Sequence, residues 1–460
     1  MPQMKTYPAD EKLPHVNIAA STEKIREVFA QKIPHFTTGD WRVYDVAIKQ
    51  MQYRPGKKFE ANYVIHFENT KNNEKGRQFY STLMLPKKAA AHKYQTERER
   101  DYLQPPVAPG LFFLEDVDMI MWGFPNDPKI KNLLDVLLPQ RLQERFERFR
   151  EQFEIPEGAQ IKKVKTNMAK YVPRDRCTMS HKIKYELAGK NQEMTIFSKT
   201  YSVKFSGEPL FNLLRQLWES EVCQSGKMLI PKPLFYDKQT NTTYMSALSG
   251  EHYSDKLEEI DLPQVAAQCG AGLTDLQQTE LSVFEQRSLR GELREYDEGM
   301  QVLIKYDETL QPRLQNLRQK LSESLENLPQ LEKTPNHGAF RLTQLLDVDG
   351  TPGLLDFDGF LLADPLVDVA SFVTHLFYLV VKGEIDLETC EKATKAFCSA
   401  YAEKAPSGLP ENALRWHAVV ALVGKQAKKC VRLAKDGQGD RIEQMIHRAE
   451  EIFEGKQALV

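Results

Sequence analysis

The chain has 460 residues, 41% of them hydrophobic and 27% charged, a globular balance that excludes a wholly disordered or collagen-like protein. Lys and Arg number 62 against 64 Asp and Glu, so the net charge is −2, and bulk electrostatics favour neither nucleic acid nor an anionic membrane as a partner. At roughly 150 residues per domain, the length predicts two to three domains.

The N-terminus, MPQMKTYPADEKLPHVN, has no apolar core, so no secretory signal is expected. The most apolar run, Phe372 to Val381, is interrupted by His375 and is too short to span a bilayer. Six cysteines are scattered (Cys177, Cys223, Cys269, Cys390, Cys398, Cys430), none in a CxxC pair and none forming a zinc-like cluster with histidine. These features predict a soluble cytoplasmic protein with reduced thiols.

Three blocks follow along the chain, at 1–155, 156–254 and 255–460. The first holds strand-like stretches at Val43–Met51, Phe59–Phe67 and Gln78–Met84, with Pro55-Gly56 as a turn. A Pro-rich connection, Pro105 to Gly110, and a charged helical segment from about Leu137 to Phe153 complete it. The second block repeats the strand pattern at Val164–Tyr171, Cys177–Glu186 and Met194–Phe205. Pro209 then opens a helix on which Leu210, Leu213, Leu214, Leu217 and Trp218 recur at helical spacing. The third block is predicted mostly helical, with Gln264–Gln278 and Leu281–Leu328 broken or kinked at Pro312, a strand-rich insert at His337–Phe360, and an amphipathic last helix over Arg441–Glu454.

The first two blocks share a faint repeat. Tyr53-Arg54-Pro55-Gly56 resembles Tyr171-Val172-Pro173-Arg174, 118 positions on, and Phe79-Tyr80-Ser81 resembles Ile196-Phe197-Ser198, 117 positions on. Duplication and chance recurrence of Y-x-P before a basic turn both fit so few matches.

The chemistry concentrates between Asn336 and Ala370. Leu345-Leu346 and Leu354-Leu355 flank Asp347-Val348-Asp349-Gly350, a hairpin signal that brings Gln344 close to Asp356. Two converging oxygen-bearing side chains suit a hard cation such as magnesium. Plainer readings stand beside this one. Asp347 and Asp349 lack the remaining ligands of an EF-hand and read as turn residues; His337 alone reads as a structural hydrogen bonder, and Asp356 alone as a solvated strand-end carboxylate.

The stretch resembles the aminoglycoside phosphotransferase and choline kinase family, within the protein-kinase-like fold. His337, Gly338, Asp356, Phe357, Asp364, Pro365, Asp368 and Ala370 match that family's H-G-D, D-[FW] and D-P-x-x-D-x-A pattern in order. The resemblance implies an α+β, two-lobed kinase-like fold with a β-rich small lobe at 156–254 and a helical large lobe at 255–460. An extra N-terminal α+β domain precedes it, with a degenerate small-lobe repeat as one of the two readings of its faint match to the second block. It also implies binding of ATP and Mg2+. Asp356 would be the main metal ligand, Gln344 stands where the family has a metal-binding Asn, and Asp368 would anchor the loop carrying His337. Lys199 falls at the phosphate-pairing lysine of the third strand, with Glu219, Glu221 or Glu208 as its helix partner; the plain alternative is a solvated strand lysine. Two departures sit at the chemistry. Ala339 occupies the catalytic Asp position and can neither accept a proton nor hydrogen-bond, and the turn after Tyr171 has no glycine to clamp phosphate. The expectation is an ATP-binding pseudokinase with a small-molecule acceptor and a protein partner at the N-terminal domain. An active small-molecule kinase and a scaffold without nucleotide are the rivals. Met121 to Pro128 reads as a turn with buried aromatics, and Lys425, Lys428, Lys429, Arg432, Lys435 and Arg441 as a solvated helix face.

Overall fold

The computed structural model describes residues 7, 9–54, 56–282, 285–432 and 438–456; Pro55, the Arg432 side chain and Lys435 lie outside the described residues. The chain divides into two compact units, one built from most of Met1–Gly207 with Tyr236–Tyr244, the other from Glu208–Phe235, Met245–Val431 and the C-terminal helix. Among the described residues no helix is long and apolar enough to cross a membrane. The six cysteines are free thiols, Cys223 half-buried and the rest buried.

The first unit carries two five-stranded sheets. One contains β1 (Trp41–Arg54), β2 (Lys58–Asn69), β3 (Lys75–Met84), β4 (Leu111–Leu114) and β5 (Met119–Gly123) in the order β1-β2-β3-β5-β4. The other contains β6 (Gln160–Val172), β7 (Arg176–Leu187), β8 (Lys190–Tyr201), β9 (Pro233–Asp237) and β10 (Thr242–Ser246) in the order β6-β7-β8-β10-β9. The strand orders are the same, and so are finer details. The first long strand of each sheet is bulged at matching positions, between Val43 and Asp45 and between Ile161 and Lys163. Each first hairpin is clamped by an aspartate. The Asp10 carboxylate accepts from Tyr53 Oη at 2.7 Å, from the Gly56 N–H at 2.7 Å, and from the Lys12 and Leu13 N–H groups. Asp127, 117 positions on, accepts from Tyr171 Oη at 2.6 Å, from the Arg174 N–H at 2.8 Å, and from the Lys129 and Ile130 N–H groups.

A helix covers one face of each sheet. Thr22–Lys32 is capped by Ser21 and buries Ile25 and Phe29; Pro139–Arg148 starts on Pro139 and buries Leu142 and Phe146. Phe29 meets Tyr63 edge-on at 5.3 Å, and Phe146 meets His181, 118 positions after Tyr63, at 5.8 Å. The charged helical segment read at the end of the first block therefore packs on the second sheet, because its apolar stripe matches His181 and Tyr244 there. Cross-strand register also fixes the counterpart of Lys199. Lys199 pairs with Thr178 and Leu83 pairs with Glu60, and Glu60 and Thr178 are equivalent, so Leu83 holds the lysine's place in the first sheet.

The second unit is helical around one large apolar core. Helices Leu262–Gln277 and Leu387–Lys404 cross so closely that a Cβ at Gly270 would lie 2.3 Å from the Phe397 carbonyl oxygen. Leu366–Lys382 is buried over most of its surface, as an apolar helix without a polar face must be. The predicted helical stretch 281–328 resolves into Leu289–Tyr306 and Gln311–Ser324, with Pro312 in the first turn of the second, where its missing N–H costs nothing. Three small pairings complete the unit: β11 (Glu251–His252) with β13 (Leu345–Val348), β13 with β14 (Thr351–Leu354), and β12 (Thr334–Asn336) with β15 (Leu361–Ala363).

Candidate active site

The β13–β14 hairpin has the register its sequence dictates, Leu345 opposite Leu354 and Val348 opposite Thr351. Asp347 closes the turn by accepting from the Gly350 N–H at 2.9 Å, and its carboxyl is held below the usual range by Lys256, 2.8 Å away, and by that amide. Beyond the strands the Leu355 N–H donates to the Gln344 carbonyl at 2.9 Å, which sets Gln344 beside the residue preceding Asp356. Asp356 itself is left-handed, at φ +67° and ψ +61°. An Asp tolerates that region better than most residues, and such strain is held only where the surroundings over-determine it.

The surroundings are the loop at 337–340. His337 is fully buried, and its Nε2–H donates to the Leu355 carbonyl at 2.9 Å, one residue before Asp356. Its ring meets that of Phe357 edge-on at 5.2 Å. Burial pushes the His337 pKa down although Asp368 opposes it, so the ring is neutral and Nε2 carries the proton. Asp368, fully buried, accepts from the His337 N–H and from the Phe340 N–H at 3.3 Å. Burial raises its pKa, against the pull of His337, Lys425 and those two amides. Gly338 is left-handed at φ +79°, and a Cβ there would sit 2.2 Å from the Gly359 carbonyl oxygen, so the two loops touch backbone to backbone. Ala339 and Gln344 are half-buried, and Asp358 is exposed.

Lys425 completes the site and was not legible beforehand. It lies on a π-helical turn, Leu422–Ala427, and its Nζ donates to the Gly338 carbonyl at 3.0 Å. The turn is seated by two glycines, since a Cβ at Gly299 would lie 2.5 Å from the Val423 carbonyl oxygen and one at Gly424 would lie 2.8 Å from that of Glu295. Such π turns recur at functional sites.

Three other predicted residues are Lys199, Glu219 and Glu221. Lys199 is 8% exposed on β8. Glu219 ends its helix with a side chain 66% exposed, 3.8 Å from Arg215, and Glu221 is still more exposed beside Lys227. Both carboxylates are solvated partners of neighbouring cations: the helix Glu208–Glu219 turns its leucines inward and leaves Glu219 outside, and Glu221 opens a separate short helix. The glycine-free turn after Tyr171 is pinned: the Arg174 guanidinium pairs with Glu60, donates to the Thr82 carbonyl at 3.1 Å and stacks over Trp122 at 5.1 Å. Among the described residues no group of three or more His, Cys, Asp or Glu could hold a metal by itself. Magnesium needs less, since one or two protein oxygens with substrate phosphates suffice. Asp356 and Gln344 both carry oxygen donors, and the hairpin bonds the Gln344 backbone to Leu355, the residue before Asp356.

Residues 206–393, which contain both loops, match the model of the phosphotransferase enzyme family. Among solved structures the chain is similar to choline kinase of Cryptosporidium parvum Iowa II, 12% identical, covering 68% of this chain and 96% of that one at a TM-score of 0.48. It is also similar to a thermostable mutant of aminoglycoside phosphotransferase APH(4)-Ia in ternary complex with ADP and hygromycin B, 16% identical over 68% and 97% at a TM-score of 0.44. A choline/ethanolamine kinase family protein from Mesorhizobium loti is 12% identical over 67% and 95% at a TM-score of 0.40. No curated protein matches.

Proposed function

We propose that the chain is a phosphotransferase-type protein that binds ATP with magnesium and transfers phosphate weakly or not at all, a pseudokinase. The observation that carries this is an intact frame, His337 bonded to Leu355 and Asp368 bonded to the His337 and Phe340 amides, around an alanine at position 339. Asp356 and Gln344 would hold the magnesium, which when bound supplies positive charge against the phosphate oxygens. Lys199 would contact the nucleotide. Ala339 offers no proton acceptor, and loss of a positioned base costs about 10²–10⁴ in rate. Binding survives such a loss, because positioning and charge reside in other groups. Titration calorimetry with ATP and magnesium is the test. Saturable binding that Asp356→Ala removes supports the reading, and no heat at millimolar nucleotide refutes it. Rapid ATP turnover on a metabolite panel, abolished by Asp356→Ala, would replace it with a working small-molecule kinase.

A further inference from the structure

A second cluster in the helical unit lies next to the loop at 337–341. Helix Leu366–Lys382 puts His375 and Tyr378 on one side, three residues apart, with ring centroids separated by 6.2 Å. His375 is 1% exposed and Tyr378 2%. Both ring nitrogens of His375, the Tyr378 hydroxyl and Nε of Arg341 are buried without a hydrogen-bond partner among the described residues. Buried polar atoms are nearly always satisfied, so four orphans in one place indicate a missing partner.

The local charge says what partner. Lys429 Nζ stands 5.1 Å over the Tyr378 ring and Lys382 Nζ 5.8 Å over it. The charge of Arg341 is felt at His375, Tyr378 and Asp356, and that of Arg441 at Tyr378. Against these four cations stand Glu384, paired with Lys382, and Asp356. Burial, with Lys429, Arg341 and Lys382, pushes His375 down to about 3, so its ring is neutral and presents one N–H. Burial likewise keeps Tyr378 a phenol with an O–H to donate. Three donors, from Arg341, His375 and Tyr378, thus lack acceptors in a basic environment. Two residues before Arg341 stands Ala339, which brings no negative charge to repel an anion, and Lys425 adds a cation at Gly338.

We infer that Arg341, His375, Tyr378 and Lys429 form a subsite for an oxyanion, the phosphate or carboxylate group of the acceptor. This deepens the function proposed above by naming its acceptor class, and rests on that reading for the word acceptor. A cationic acceptor would meet repulsion from Arg341 and Lys429 and leave all three donors unmet.

The test is calorimetric titration of the full chain with inorganic phosphate and, separately, with succinate, in EDTA, without nucleotide and at constant ionic strength. Saturable millimolar binding of at least one anion is expected, and Tyr378→Phe and Arg341→Gln should each weaken it by about tenfold. Lys429→Gln, at a half-buried position, should weaken it less, and Arg313→Gln, whose partners are Glu443 and Glu450, should leave it unchanged. Binding of phosphate alone assigns a phosphorylated acceptor, and of succinate alone a hydroxy acid. No saturable heat with either anion at tens of millimolar, or equal affinity in Tyr378→Phe and Arg341→Gln, overturns the subsite. Anion binding without Mg–ATP binding would sink the proposed function and leave the subsite standing.

Discussion

Replacing Gly338 by alanine isolates the contact between the two site loops. At φ +79° an alanine there takes a left-handed conformation, which costs about 1–2 kcal/mol. Its Cβ would lie 2.2 Å from the Gly359 carbonyl oxygen and 2.9 Å from Cδ2 of Leu361, which is fully buried and has no room to retreat. Relief requires the loops to part by roughly 1 Å, given ordinary contact distances. That movement strains the His337–Leu355 hydrogen bond, now 2.9 Å, whose loss in a buried setting adds about 1–3 kcal/mol. The expected total is about 3 kcal/mol, together with loss of Mg–ATP binding as Asp356 is displaced. Gly350→Ala is the control, because Gly350 has φ +83° with nothing within 4 Å of the added Cβ. It pays only the conformational term, about 1 kcal/mol. Urea unfolding followed by tryptophan fluorescence, with ATP calorimetry on the same samples, separates the two. Equal destabilisation by both substitutions, or unchanged ATP binding in Gly338→Ala, would refute the argument.

Asp10→Ala and Asp127→Ala each remove a carboxylate that accepts four hydrogen bonds, so each should cost about 2–4 kcal/mol, and the two costs should agree within about 1 kcal/mol in urea unfolding. The Asp10 carboxyl titrates low: burial pushes it up, but bonds from Gly56, Tyr53, Lys12 and Leu13 outweigh burial. A depressed folded pKa contributes stability that is present above the unfolded value of about 3.9 and lost as pH falls through the folded one. Urea midpoints between pH 6 and pH 3 should therefore fall less steeply in Asp10→Asn than in the parent chain. If the proposed function holds, Ala339→Asp introduces a proton acceptor and should raise phosphate transfer by about 10²–10⁴, read in a coupled ADP assay over candidate acceptors; an unchanged rate would mean that Ala339 is not the defect.

The hairpin from Leu345 to Leu354 and the ordered motif from His337 to Asp368 could be read ahead of the structure, because turn chemistry and short-range spacing act locally. The matched sheets were only half visible. Tyr53 and Tyr171 marked them, but the equivalence of Ile25 and Phe29 to Leu142 and Phe146 rests on burial, which keeps apolar character and lets identity drift. Lys425 was hidden because it arrives from a helix 87 residues beyond Gly338, and a lysine among other lysines carries no mark of its target. The resemblance offered Glu219 as a helix partner for Lys199, but which way its side chain faces is set by the leucine stripe, and it lies exposed near Arg215. The Arg341, His375 and Tyr378 cluster needed coordinates, since its signature is what the side chains fail to touch.

The Arg174 anchor has a consequence for the freedom of the β6–β7 turn. The equivalent turn in the first sheet holds Gly56 at φ +65°, and Arg174 sits at φ +63°. A residue with a side chain stands where the backbone prefers none, and that side chain reaches Glu60, Thr82 and Trp122 of the first sheet. The side chain that ties the two sheets together is thus the one that denies the β6–β7 turn a glycine, so Arg174→Gly would loosen the joint as it frees the loop.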